Sequence, residues 1–205
     1  MKSCKICGIS DLNTLNFIID HPYPAKYIGF IVNFKASPRY VELEKLKKLL
    51  NINKKNCKFV AVLVSPNSIL EKIKDLPFDY YQIYDSTPDE IKEIKKKYSK
   101  KIIPVITVSN KDDINRYKDF EDVADILLFD SKGYERSDSF NHEYLNNINT
   151  SKPIMVAGDI KTDDLNNFKD KPFLIDASGN LESEKGVKDI NKIDKFLNTV
   201  HNISS

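Results

Sequence analysis

Eight short runs rich in β-branched and aromatic residues punctuate the chain, at 3–7, 27–32, 58–64, 80–84, 102–108, 125–130, 153–157 and 173–177. Between them lie polar loops and segments whose apolar residues recur at the helical period. Ser37-Pro38 supplies a capping hydroxyl and a first-turn proline ahead of a helix at 40–51, which puts Arg39 at its second position. Ser65-Pro66 is expected to open a helix through Ile73, and Thr87-Pro88 with Glu90 to open one through Tyr98. A last amphipathic segment covers 187–200 and turns Ile190, Ile193, Phe196 and Leu197 inward.

Strict alternation of strand and helix implies a parallel sheet with helical crossovers. Eight units in 205 residues leave roughly 25 residues each, which fits a (β/α)8 TIM barrel near its lower length limit. A doubly wound open sheet uses the same alphabet with fewer strands. No long Pro- or Gly-rich stretch divides the sequence, so residues 1–205 are expected to form one barrel domain. In such a barrel, chemistry gathers just after the strands, on the carboxyl-terminal face.

Composition narrows the function classes. Thirty-two basic and thirty acidic residues nearly cancel to +2 and are interspersed, whereas a nucleic-acid binder more often carries a one-sided basic surplus. No nucleic-acid partner is therefore expected. The chain opens without a charged-then-apolar leader and contains no apolar run near the length of a membrane span, so a cytoplasmic protein without a membrane partner is expected. Nothing specifies an oligomeric state. Cys4, Cys7 and Cys57 are an odd count and do not resemble a disulfide framework. Cys4 and Cys7 have metal-ligand spacing, but they lie within one strand on opposite faces, and His21, His142 and His201 are scattered. No metal site is expected. Only six glycines and three arginines are present. Each arginine matters because lysine lacks its planar two-pronged donor.

Several strand ends carry chemistry: Cys7-Gly8 after the first, Ser37-Pro38-Arg39 beyond the second, and Gln82-Ile83-Tyr84 at the fourth. Asp130-Ser131 ends the sixth, Ala157-Gly158-Asp159 the seventh, and Asp176-Ala177-Ser178-Gly179 the eighth. Glycine turns after the last two strands of this fold commonly hold a phosphate, because backbone N–H groups point at it.

The block Lys5-Ile6-Cys7-Gly8-Ile9 resembles the amino-terminal signature of the phosphoribosylanthranilate isomerases of tryptophan biosynthesis. The resemblance continues through Gly29-Phe30-Ile31, Ser37-Pro38-Arg39-Tyr40-Val41 and Leu127-Leu128-Phe129-Asp130-Ser131. It closes with Ala157-Gly158, Ser178-Gly179 and Gly186-Val187-Lys188-Asp189. It implies a cofactor-free Amadori rearrangement of a phosphosugar, with one acid to open the ribose ring and one base to take the proton from C2′. The match gives the base to Cys7, the acid to Asp130 and the anthranilate carboxylate to Arg39. Gly158, Ser178 and Gly179 receive the phosphate. Those roles imply a depressed thiol pKa at Cys7 and a raised carboxyl pKa at Asp130.

The chain also departs from that pattern. Gln82-Ile83-Tyr84-Asp85 stands where the family usually has Gln-Leu-His-Gly. The stretch 132–137 lacks its Gly-Gly-Thr-Gly run, and Asp159 replaces a second glycine. A carboxylate beside a phosphate dianion is repulsive. Asp159 is thus expected to point away, with Arg136, Lys132 or Lys161 supplying positive charge. These departures leave open a paralogue acting on another phosphosugar, or a non-catalytic phosphate-binding barrel. Gly29 is read as allowing close packing, Gly186 as shaping the start of the last helix, and Gln82 as a pocket residue or a structural hydrogen bond.

Overall fold

The computed structural model describes residues 3–66, 68–131 and 139–204. Eight parallel strands close into a barrel in sequence order: β1 (Cys4–Cys7), β2 (Tyr27–Ile31), β3 (Lys58–Val64), β4 (Tyr80–Tyr84), β5 (Lys101–Val108), β6 (Leu127–Ser131), β7 (Ile154–Val156) and β8 (Phe173–Ala177). All eight expected strands form. The last pairs with the first through Cys4 with Ile175, Lys5 with Asp176 and Ile6 with Ala177.

The period-2 pleat divides each strand between two environments. Tyr27, Val60, Tyr80, Ile103, Val105, Leu128 and Met155 pack together inside the barrel. Alternate residues such as Ile6, Ile28, Phe30, Phe59, Tyr81 and Phe129 pack outward with Leu15, Leu46, Ile91 and Phe196 from the surrounding helices. Position parity therefore places Lys5, Cys7, Gln82, Tyr84, Asp130 and Asp176 on the inner face.

The helical layer is α1 (Leu12–Asp20), α2 (Leu43–Leu50), α3 (Leu70–Ile73), α4 (Pro88–Tyr98), α5 (Tyr117–Phe120) and α6 (Ile190–Asn202). Only α4 starts where a Ser/Thr-Pro pair is expected to open a helix: Thr87 accepts from Glu90 N–H while the Glu90 carboxylate accepts from Thr87 N–H, a reciprocal capping box. The other two pairs lack a Glu or Gln three residues on. Ser37 Oγ instead accepts from Arg39 N–H at 3.2 Å, a local turn. The chain then stays extended, Tyr40 bridging to Ile31, and the helix starts at Leu43. Arg39 therefore lies in a loop and not inside a helix. Ser65 takes a left-handed φ of 41°, whereas an N-cap needs an extended one, and α3 shrinks to a single turn.

Among the described residues, the segments after β5, β6 and β7 include 3-10 turns at Lys111–Arg116, His142–Asn147 and Thr162–Phe168. Asn and Asp populate all three, and their side chains compete with helical backbone bonding. Past β8, a 3-10 turn at Gly179–Leu181 leads into a small hairpin, β9 (Glu182–Glu184) with β10 (Val187–Lys188). The final helix thus begins at Ile190, capped by Asp189, and not at 187. Gly186 belongs to the hairpin turn. Its φ is 89°, and a Cβ there would lie 2.8 Å from the Pro38 carbonyl oxygen. No helix among the described residues is long and apolar enough to cross a membrane.

Candidate active site

A cavity opens at the carboxyl-terminal mouth of the barrel, and Cys7, Arg39, Asp130, Gly158, Ser178 and Gly179 all line it. Tyr84, Asp159, Asp176 and Asn180 join them, with Ile31, Phe34, Val62 and Val64 forming an apolar wall. Lys161 is exposed, outside that lining. Lys132 and Arg136 lie outside the described residues.

Cys7 ends β1 and is buried. Two residues back on the same face, Lys5 is fully buried and donates to Asp176 Oδ2 at 2.6 Å. Gly29 on β2 makes room for this pair: a Cβ there would sit 3.0 Å from both Cys7 Sγ and Lys5 Cε. The close packing read from sequence is thus against two buried side chains. The thiol pKa is raised and not depressed. Burial drives it up and Asp176 adds to that, while the Lys5 ammonium, hydrogen-bonded to the sulfur, pulls against both. Burial also raises Asp176, with Lys5 opposing.

Asp130 stands on β6, in register with Thr107 of β5. Its Oδ1 accepts from Ser131 N–H at 2.8 Å and its Oδ2 from the Tyr84 hydroxyl at 2.7 Å. Burial pushes the carboxyl from 3.8 to about 6, with Tyr84 pulling it down and Asp176 pushing it up. A carboxyl titrating there can be protonated near neutrality, as a general acid must be. Tyr84 itself is held well above the ordinary tyrosine range by burial and by Asp130. Gln82 is buried, its amide N–H reaching the Tyr84 oxygen at 3.4 Å.

Arg39 crosses the mouth from the loop after β2. Its Nε and Nη2 donate to Glu182 Oε1 and Oε2 at 2.5 and 2.8 Å, a forked pair from the small hairpin. Glu182 also accepts from Lys188 Nζ at 2.9 Å and Gly186 N–H at 2.9 Å. Burial would raise this carboxyl, but Arg39 and Lys188 hold it below the ordinary value. Gly8 is indispensable to the guanidinium's path: its φ is 78°, and a Cβ would meet Arg39 Cδ at 2.4 Å. In the sequence, Asp176 marks only a strand end, Lys5 and Lys188 stand only inside family blocks, and Glu182 is not singled out. The Lys5–Asp176 and Arg39–Glu182 pairs join distant parts of the chain that only the closed barrel brings together.

The loops after β7 and β8 are tied to each other. Asn180 Nδ2 donates to Asp159 Oδ1 at 2.9 Å and to Ile160 O at 3.1 Å. Ser178 Oγ donates to the Cys7 carbonyl at 3.0 Å, and Lys188 Nζ to the Ser178 carbonyl at 2.9 Å. Two of the absent glycines have a backbone explanation. Asp85 and Asp159 adopt φ of 52° and 50°, the left-handed region that glycine favours and aspartate tolerates. The turns keep a glycine-like shape without glycine. Among the described residues, no group of three or more His, Cys, Asp or Glu could hold a metal ion.

Comparison with known proteins fits this geometry. The family model described as N-(5′-phosphoribosyl)anthranilate (PRA) isomerase matches residues 4–199. The N-(5′-phosphoribosyl)anthranilate isomerase of Campylobacter jejuni is 36% identical over 208 residues, covering 96% of this chain and 98% of that protein. That of Rhizobium johnstonii is 32% identical, covering 96% and 92%. In fold, the chain superposes on phosphoribosyl anthranilate isomerase of Thermotoga maritima with a TM-score of 0.84 at 22% identity, covering 98% of this chain and 100% of that one. A phosphoribosyl anthranilate isomerase in complex with reduced 1-(o-carboxyphenylamino)-1-deoxyribulose 5-phosphate gives 0.82 at the same identity and coverage. With a family match that spans the barrel from its first strand into its last helix, this chain belongs to the N-(5′-phosphoribosyl)anthranilate isomerase family.

Proposed function

We propose that the chain catalyses the Amadori rearrangement of N-(5′-phosphoribosyl)anthranilate to 1-(2-carboxyphenylamino)-1-deoxyribulose 5-phosphate, with Asp130 as acid and Cys7 as base. The observation that carries the reading is the convergence of Cys7, Arg39 and Asp130 on one cavity, in a chain of this family.

The chemistry balances within the substrate. Protonated Asp130 gives its proton to the ribose ring oxygen, and the C1′–O bond breaks as the anilino nitrogen lone pair forms an iminium. That C=N acidifies C2′, from which Cys7 as thiolate takes a proton, leaving an enolamine. Gain of a proton at C1′ and loss of one from the 2′-hydroxyl give the ketone. No cofactor is consumed. The requirements on pKa suit the site at Asp130, already raised to about 6. For Cys7 the supporting group is Lys5, whose positive charge beside the sulfur favours the thiolate. Arg39 keeps Nη1 free of the Glu182 fork for the anthranilate carboxylate. The turns at Gly158 and at Ser178-Gly179 receive the phosphate, with Lys132, Arg136 or Lys161 offsetting Asp159.

The direct test follows the loss of phosphoribosylanthranilate fluorescence on adding protein. Wild type should turn over substrate, whereas Cys7→Ala and Asp130→Asn should lose at least about a thousandfold in kcat, the scale of deleting an essential acid or base. Equal rates in all three would overturn the assignment. Alanine at Lys132, Arg136 and Lys161 in turn should raise KM for at least one; no change in any removes the compensating role.

A further inference from the structure

We infer that Tyr84 is a positioning residue for the acid step: its hydroxyl fixes Oδ2 of Asp130 and makes that carboxyl a readier proton donor than its burial alone allows. The inference rests on the isomerase reading of the site.

Barrel geometry brings the two together. Inward residues of alternate strands share a layer in a closed parallel barrel, and Tyr84 on β4 and Asp130 on β6 are two strands apart, with Thr107 of β5 between them. The 2.7 Å bond to Oδ2 and the 2.8 Å bond from Ser131 N–H to Oδ1 leave each carboxylate oxygen with one donor and free lone pairs toward the cavity. Both donors stabilise the anion left after Asp130 has given its proton, so both lower the energy of the step that opens the ribose ring.

The nature of the partner matters. The family resemblance places a histidine where Tyr84 stands, and histidine titrates near neutrality and can take up the proton itself. The Tyr84 hydroxyl keeps its proton throughout that range, so the pair holds a single exchangeable proton and that proton belongs to the carboxyl. The other charged groups acting on Asp130 are Lys5 on β1 and Asp176 on β8. Neither is removed when Tyr84 becomes phenylalanine, so that substitution isolates the hydroxyl.

The test is Tyr84→Phe, with kcat and KM measured across pH alongside wild type. With the Asp130 carboxyl near 6 and the Cys7 thiol held higher, the acidic limb of kcat reports Asp130. It should move up by about one pH unit, the scale of one hydrogen bond to a charged group. On the acid side of that limb, where Asp130 is already protonated in the ground state, kcat should fall by up to about tenfold while KM stays within about twofold. A second readout follows the protonated carboxyl of Asp130 by infrared difference spectroscopy, with Asp130→Asn assigning the band; its midpoint should rise by the same amount in Tyr84→Phe. Unchanged limb and midpoint in an active enzyme would overturn the role of Tyr84 and leave the isomerase reading standing. A wild type without turnover would overturn both.

Discussion

Asp130 is held where its ionised form is costly. Its carboxyl is raised from 3.8 to about 6, chiefly by burial, so the folded protein binds this proton more tightly than the unfolded chain does. The associated stabilisation is fully present below about pH 4 and is lost as pH rises through about 6. A gap of about two pH units corresponds to roughly 3 kcal/mol. Asp130→Asn should therefore be more stable than wild type near pH 8 by up to roughly 3 kcal/mol and lose that advantage near pH 4. Denaturant unfolding at both values measures it; an equal gap at both would contradict the burial origin. The same substitution removes the proposed acid, so stability and turnover should move in opposite directions.

At the scale of elements, strands were more legible than helix starts. Runs such as Lys58–Val64 and Phe173–Ala177 have the same limits in sequence and structure, because continuous β-branched and aromatic stretches have few alternatives in a buried parallel sheet. Ser-Pro pairs were ambiguous: only Thr87-Pro88 has the glutamate that reciprocates the cap. The hairpin β9–β10 was hidden because its last residues continue smoothly into the apolar pattern of α6. Of the site, the cavity residues Cys7, Arg39, Asp130, Gly158, Ser178 and Gly179 were legible through the family resemblance. The buried charges around them were not, since no local pattern links Arg39 to Glu182.

The left-handed aspartates give the loops a prediction of their own. Asp159→Gly retains access to φ near 50° and removes a negative charge from the cavity lining. It should leave stability within about 1 kcal/mol, relief of the left-handed residue being offset by the freer unfolded glycine. It should also lower KM severalfold if the substrate phosphate sits at this turn. Asp159→Val, β-branched in the same conformation, should lose about 1–2 kcal/mol. Thermal denaturation and steady-state kinetics on the pair separate backbone shape from charge. A KM unmoved in Asp159→Gly would place the phosphate elsewhere.

For the molecule as a whole, closure of the barrel and assembly of the site are one event. β1 meets β8 where Lys5 meets Asp176, an ion pair of 0% and 6% side-chain exposure. Removing one partner leaves an uncompensated buried charge, so Lys5→Met should cost roughly 3–5 kcal/mol. Adding Asp176→Leu should recover most of that, since an apolar pair of similar size is often as stable. A double-mutant cycle by chemical denaturation checks the coupling; additive losses would mean that the pair does not act as a unit. Neither variant should restore the ease with which Cys7 ionises, because the ammonium beside the sulfur is gone.

Residues 5 and 176 lie 171 positions apart, and translation is directional. A ribosome adding about 5–20 residues per second delivers the lysine many seconds before the aspartate that makes its burial tolerable. Cys7, the proposed base, therefore meets the Lys5–Asp176 pair only when the chain is almost finished.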